Sequence, residues 1–175
     1  SVLLGLTREA DETTADFVRR VNQSVYEGIW HYWDDAGIDR FHLRVPGWEN
    51  PYLYLASFLA PKHFLKYEFS DPAKATERGV GLCSQHAIVA VEILQQSGVA
   101  SGIYGLSGHT VAYANVGNET WVIDPDYGVV VPFDPDTVEG QPDLIRAYYA
   151  ESGLPQDRID KLIRIYGPEG NHTYP

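Results

Sequence analysis

The segment Arg78-Gly-Val-Gly-Leu-Cys83-Ser-Gln-His86-Ala-Ile-Val-Ala-Val-Glu-Ile-Leu94-Gln-Gln-Ser-Gly98 carries the fold assignment. Ala87, Ala90, Val91 and Leu94 recur at three- and four-residue spacing, which predicts a helix over 83–97 with Gly98 as its stop. The single cysteine of the chain therefore stands in the first turn of an apolar helix, behind a loop bearing Gly79 and Gly81. Unpaired backbone amides and the positive end of the helix dipole stabilise a thiolate at such a place. The same amides can donate to an oxygen on which negative charge develops. A free cysteine is more often buried and inert, but an inert one sits more comfortably mid-helix on the apolar face. The position favours a reactive thiol.

Upstream of this segment the chain reads as helical. Asp11-Glu-Thr13-Thr14 offers caps, and Phe17, Val18, Val21, Val25, Ile29 and Trp33 follow at helical spacing. Pro51–Leu59 reads as a second, aromatic-rich helix, and 71–81 as a loop. Downstream the character changes. Ser101–Leu106, His109–Val116, 120–124 and 128–131 are short, rich in β-branched and aromatic residues, and divided by Gly, Asn, Asp and Pro. That is the pattern of an antiparallel sheet. The tail returns to helix over 143–149 and 156–165. Helices first and strands later give an α+β domain: the cysteine-bearing helix packs on a small antiparallel sheet, with C-terminal helices after it.

Composition bounds the function. The 175 residues carry a net charge of -11, with 44% hydrophobic residues, one cysteine and no methionine. The length fits one globular domain over 1–175. The acidic balance argues against nucleic acid as a partner. One cysteine excludes a disulfide framework and multi-cysteine metal sites. No His-Glu-x-x-His occurs, and Asp124-Pro-Asp126 and Asp134-Pro-Asp136 read as solvated turns, so neither a metal nor a cofactor is expected. No apolar run approaches membrane-spanning length. The missing initiator methionine points to a processed or excised soluble piece, and an extracytoplasmic setting is compatible with that. Sequons at Asn22, Asn118 and Asn171 arise easily by chance. The aromatics Trp30, Tyr32, Trp33, Trp48, Tyr52 and Tyr54 read first as core packing and second as a substrate cleft.

A cysteine nucleophile needs a base, and the base an orienter. His86 follows Cys83 by one helical turn, and His109 opens a strand after Ser107-Gly108. If Gly117-Asn118 is a two-residue hairpin turn, Val116 pairs with Glu119. His109 then faces Asp126, with Asp124 diagonal on the same face and within reach of the imidazole. A slip of one residue would turn Asp124 away. The favoured register joins His109 to Asp124 and leaves Asp126 as competitor.

Taken together, Gly81-Leu-Cys83, the helix ending Leu94-Gln-Gln-Ser-Gly98, the Gly108-His109 strand and Trp121-Val-Ile-Asp124-Pro125 resemble the transglutaminase-like superfamily of papain-related folds. The match covers about residues 65–131, the core of the domain. The interval from Cys83 to His109 is short for that superfamily, and Ser101 stands where many relatives carry an arginine. The resemblance implies Cys83 as nucleophile, His109 as base and Asp124 as orienter. The implied substrate is a peptide, a protein or another amide-bearing molecule. The reaction is acyl transfer through a thioester, with hydrolysis ahead of transfer. One oxyanion donor is then the Cys83 amide, with Tyr67 and Trp48 as candidates for the second. Arg78-Gly79 before the cysteine and Gln85-His86 after it also resemble the arylamine N-acetyltransferases, which share the same Cys–His–Asp logic. A non-catalytic binding or scaffold module that kept the fold is the rival from another class.

Overall fold

Thr13 starts the first helix by accepting a hydrogen bond from the Asp16 amide at 3.1 Å. In this computed structural model, which describes residues 2–31, 46–48, 50–61, 71–168 and 170, helix α1 spans Thr14–Gly28. It buries Phe17, Val18, Val21 and Val25 on one face. Gly28 ends it, and Ile29 continues in extended geometry into a two-residue strand, β1 (Trp30–His31). Trp33 lies outside the described residues.

Helix α2 (Pro51–Leu59) takes the expected bounds, capped by Asn50, whose side chain accepts from the Leu53 amide at 3.0 Å. Its aromatics are not core. Tyr52 is 85% and Leu59 82% exposed.

The segment 71–81, expected as a loop, holds a helix and a strand. Asp71 accepts from the Ala73 amide at 2.9 Å, and Pro72 takes the first helical position, where its missing N–H costs nothing. Helix α3 (Pro72–Arg78) ends at Gly79, whose φ of 64° is the left-handed conformation that closes helices. Strand β2 (Val80–Gly81) then pairs in parallel with β1, Trp30 opposite Val80 and His31 opposite Gly81. Asp-Pro and glycine serve turns and helix caps alike, and so short a helix carries too little periodicity to separate the two.

Helix α4 (Cys83–Gln96) leads to a four-stranded antiparallel sheet in simple meander order: β3 (Ser101–Leu106), β4 (His109–Val116), β5 (Glu119–Asp124) and β6 (Val129–Val131). The two-residue turn at Gly117-Asn118 sets Val116 against Glu119 and Ala112 against Ile123, the register expected. Alternation along the strands builds two apolar layers. Ala112, Ala114 and Ile123 meet α1 and α4 on one face. Val111, Val122 and Val131 meet the tail on the other. That tail comprises α5 (Pro135–Gly140), a 3-10 turn over Pro142–Ile145, α6 (Arg146–Glu151) and α7 (Gln156–Tyr166). The helix expected over 143–149 is thus split, because Pro142 opens it as a tighter turn that becomes α-helical only from Arg146. The molecule is α+β, with a sheet clothed by helices on both faces. Among the described residues no helix is long and apolar enough to cross a membrane.

Candidate active site

Leu82 caps α4 and supplies no side-chain oxygen to the first turn, where the Gln85 amide donates to the Leu82 carbonyl at 3.0 Å. Gln85 steadies this start from within the helix, its Oε1 accepting from the Leu82 amide at 3.2 Å. Gly81 is required by the close approach. A Cβ there would lie 3.1 Å from Gln85 Cβ and 3.4 Å from Ile29 Cγ2. Cys83 is held half-buried at the head of this helix.

His109 reaches that thiol from the sheet. Gly108, with φ of 80°, makes the turn that delivers it, and the ring is 6% exposed. Its Nε2 lies 2.8 Å from Asp124 Oδ2, which leaves Nδ1 for Cys83. Burial is the largest influence on this imidazole and works against its protonation. The charge of Asp124, the hydrogen bond to it, and the hydrogen bond and charge of Cys83 outweigh burial and hold His109 well above the usual histidine value. Asp124 is itself fixed. Tyr149 donates its hydroxyl to Oδ2 at 2.6 Å, and the Asp126 amide donates to Oδ1 at 3.1 Å. Tyr166 stands 2.9 Å behind Tyr149. Both phenols are pushed well above their ordinary value, first by burial and then by the Asp124 charge. The sequence offered no signal for the two tyrosines, which come from the tail helices.

Asp126, the competitor for His109, turns elsewhere. Its Oδ1 pairs with His31 Nδ1 and lies 3.6 Å from His86 Nδ1. His86 is buried, and both ring nitrogens face backbone carbonyls, Nδ1 that of Leu82 and Nε2 that of Ile29, each at 2.8 Å. It clamps α4 to the end of α1. It is His109 that meets the thiol.

A cavity of about 190 Å³ opens between these elements, lined by His31, Cys83, His109 and Tyr127, with Arg158 and Lys161 from α7. Of the two candidates for a second oxyanion donor, Trp48 is 88% exposed and is not among the lining residues. Tyr67 lies outside the described residues.

No family model matches this sequence. No curated protein matches it either. A solved structure described as "Crystal structure of a TGase" superposes on 66% of the chain at 18% identity with a TM-score of 0.42. The superposition covers 27% of that structure's chain.

Proposed function

We propose that this chain is a transglutaminase-like cysteine enzyme that cleaves or transfers acyl groups at amide bonds through a thioester on Cys83. The observation that carries the reading is the connected line from Cys83 through His109 to Asp124, in which a buried carboxylate 2.8 Å from Nε2 fixes the ring that meets the thiol. The Cys83 sulfur attacks the carbonyl carbon, and the carbonyl oxygen becomes an anion facing the Cys83 amide at the open helix start. The C–N bond then breaks. The protonated His109 gives its proton to the departing amine, and a thioester remains. Water, losing a proton to His109, attacks the thioester, and the acid leaves as the thiol returns. The positive charge that Asp124 maintains on His109 is the proton source for the amine. Hydrolysis leads over transfer because, although Leu82, Leu162 and Ile165 line part of the cavity, Arg158 and Lys161 bring charged groups to it and water is not shut out from the thioester. The same two cations favour substrates with a carboxylate near the scissile amide, in a protein whose net charge is otherwise -11.

The test uses an activated ester, p-nitrophenyl acetate, as a substrate-independent probe of the thiol. The expected result is a burst of one nitrophenolate per chain and an acetyl mass on the Cys83 peptide. Iodoacetamide should modify native Cys83 at pH 6 faster than it modifies glutathione, since a free thiol of pKa about 8.5 is under about one per cent ionised there. Cys83→Ala abolishes the burst, and His109→Ala slows acylation by about 10³-fold. A native Cys83 no more reactive than glutathione would return the chain to a scaffold that merely kept the fold.

A further inference from the structure

The cluster of His31, His86 and Asp126 lies outside the acyl-transfer line, yet it is the more unusual arrangement. The three come from β1, from the first turns of α4, and from the turn after β5. One ligand atom from each lies within 4.8 Å of the others. Asp126 is 5% exposed, and among the described residues its Oδ2 has no hydrogen-bond partner. A buried carboxylate oxygen without a donor is costly and needs a cation to answer it. The acceptors around it make the same demand. His86 Nε2 donates to Ile29 O, which is how proteins commonly fix the ring of a metal-bound histidine and aim its other nitrogen. That other nitrogen, Nδ1, points at the Leu82 carbonyl 2.8 Å away and at Asp126 Oδ1 3.6 Å away, both of which only accept. His31 Nδ1 meets the same carboxylate oxygen. Two imidazole nitrogens and a carboxylate oxygen thus lie within 4.8 Å of one another, an acceptor-rich cluster that a cation would satisfy.

We propose that His31 Nδ1, His86 Nδ1 and Asp126 form a binding site for a divalent transition-metal ion, with zinc as the best fit. Two imidazoles and one carboxylate are the three-ligand set of open zinc sites, and imidazole selects against magnesium and calcium. Tetrahedral bonds of about 2.0–2.2 Å hold ligand atoms roughly 3.3–3.6 Å apart, the spacing already present between His86 Nδ1 and Asp126 Oδ1. The metal replaces the proton between His31 Nδ1 and Asp126 Oδ1. Leu82 O or Asp126 Oδ2 is placed to complete the shell. Bound there, the ion ties β1, the start of α4 and the β5–β6 turn together beneath the cavity. The inference stands independently of the acyl-transfer reading, since it uses neither Cys83 nor His109.

The experiment is zinc titration of the chelator-treated full chain against a chromophoric competitor, with cobalt as a spectroscopic substitute. One zinc should bind per chain, and cobalt should give the visible bands of a four-coordinate ion with nitrogen and oxygen donors. Excess zinc should raise Tm by on the order of 5 °C, while magnesium at the same concentration does not. Cys83→Ser should bind zinc as tightly as the native chain. Asp126→Asn, which keeps the shape, and His31→Gln, on the rim of the cavity, should each weaken binding at least tenfold with their helical circular dichroism intact. Zinc lost in Cys83→Ser and kept in Asp126→Asn would place the metal on the thiol instead and overturn the site. Absence of stoichiometric binding at micromolar zinc would overturn it too, and would assign the central charge to a proton on His86.

Discussion

Two histidine–aspartate pairs stand at one end of the sheet, and they are completed differently. Asp124 and Asp126 are separated by one proline, both are buried, and each meets an imidazole. Both oxygens of Asp124 are answered, Oδ2 by His109 and Tyr149, Oδ1 by the Asp126 amide. Asp126 shares Oδ1 with His31 and leaves Oδ2 without a donor. The first pair is finished by protein groups, and its result is a histidine beside a thiol whose protonated form Asp124 favours. In the second, no described residue donates to Oδ2, which is where the proposed cation would bind. Residue type does not separate the two pairs. What separates them is the supply of donors behind each carboxylate: the phenol of Tyr149 reaches one, and among the described residues no donor reaches Oδ2 of the other.

Exchanging each carboxylate for its amide should break this contrast most sharply. Asp124→Asn removes the charge that keeps His109 protonated and presents an N–H or a weaker acceptor to Nε2. Acylation of Cys83 by the nitrophenyl ester should fall on the order of 10²–10⁴-fold, read from stopped-flow bursts. Asp126→Asn should register first as lost zinc affinity in the titration above. If the two substitutions depressed acylation equally, the pairs would be one functional unit and the distinction would collapse.

The next effect is a pH dependence. The folded value of His109 is raised, so its contribution to stability is complete below the unfolded value of about 6.5 and is lost as pH climbs through the folded one. The groups that set it are Asp124 and Cys83, with Tyr127 at 5.5 Å ring to ring, Tyr149 behind Asp124, and Arg158 and Lys161 across the cavity. Thermal melts from pH 6 upward should show Tm declining through a step that His109→Gln lacks. Acyl transfer from an amide should decline over the same window, because the leaving amine loses its proton donor. An Asp124→Asn background should move the step to lower pH. A step unmoved in that background would assign it to another group.

The first pair could be seen in the sequence and the second could not, for a physical reason. Gly117-Asn118 pins a hairpin, and once the turn is two residues long every partner down to His109 and Asp124 follows from period two. The helix start at Cys83 was equally local, marked by glycines before it and an apolar face after it. His31 is set opposite Gly81, just before α4, by the short parallel pairing of β1 with β2, and two-residue strands leave no periodic trace. Helix α3 was missed for the same want of length, although Asp71, Pro72 and Gly79 spell its caps. Tyr149 reaches Asp124, and Tyr166 reaches Tyr149, from a tail whose helices show their apolar stripe, but a stripe does not say which hydroxyl will meet a carboxylate.

The smallest predicted effects lie behind Asp124 and test the order of the chain there. Asp124 accepts only, so Tyr149 donates to it, and Tyr149 must in turn accept from Tyr166. Tyr149→Phe removes a charge-assisted bond and strands the Tyr166 hydroxyl in the core, a loss of about 2–3 kcal/mol measured by urea denaturation. Acylation should slow about tenfold as Asp124 loosens. Tyr166→Phe leaves Tyr149 donating as before. It should lower stability by about 1 kcal/mol and change the acylation rate less than twofold. The ratio between the two variants is the measurement. Equal losses of rate would mean that Tyr166 also governs the carboxylate, and the line from thiol to tail would then extend one residue further than the hydrogen bonds place it.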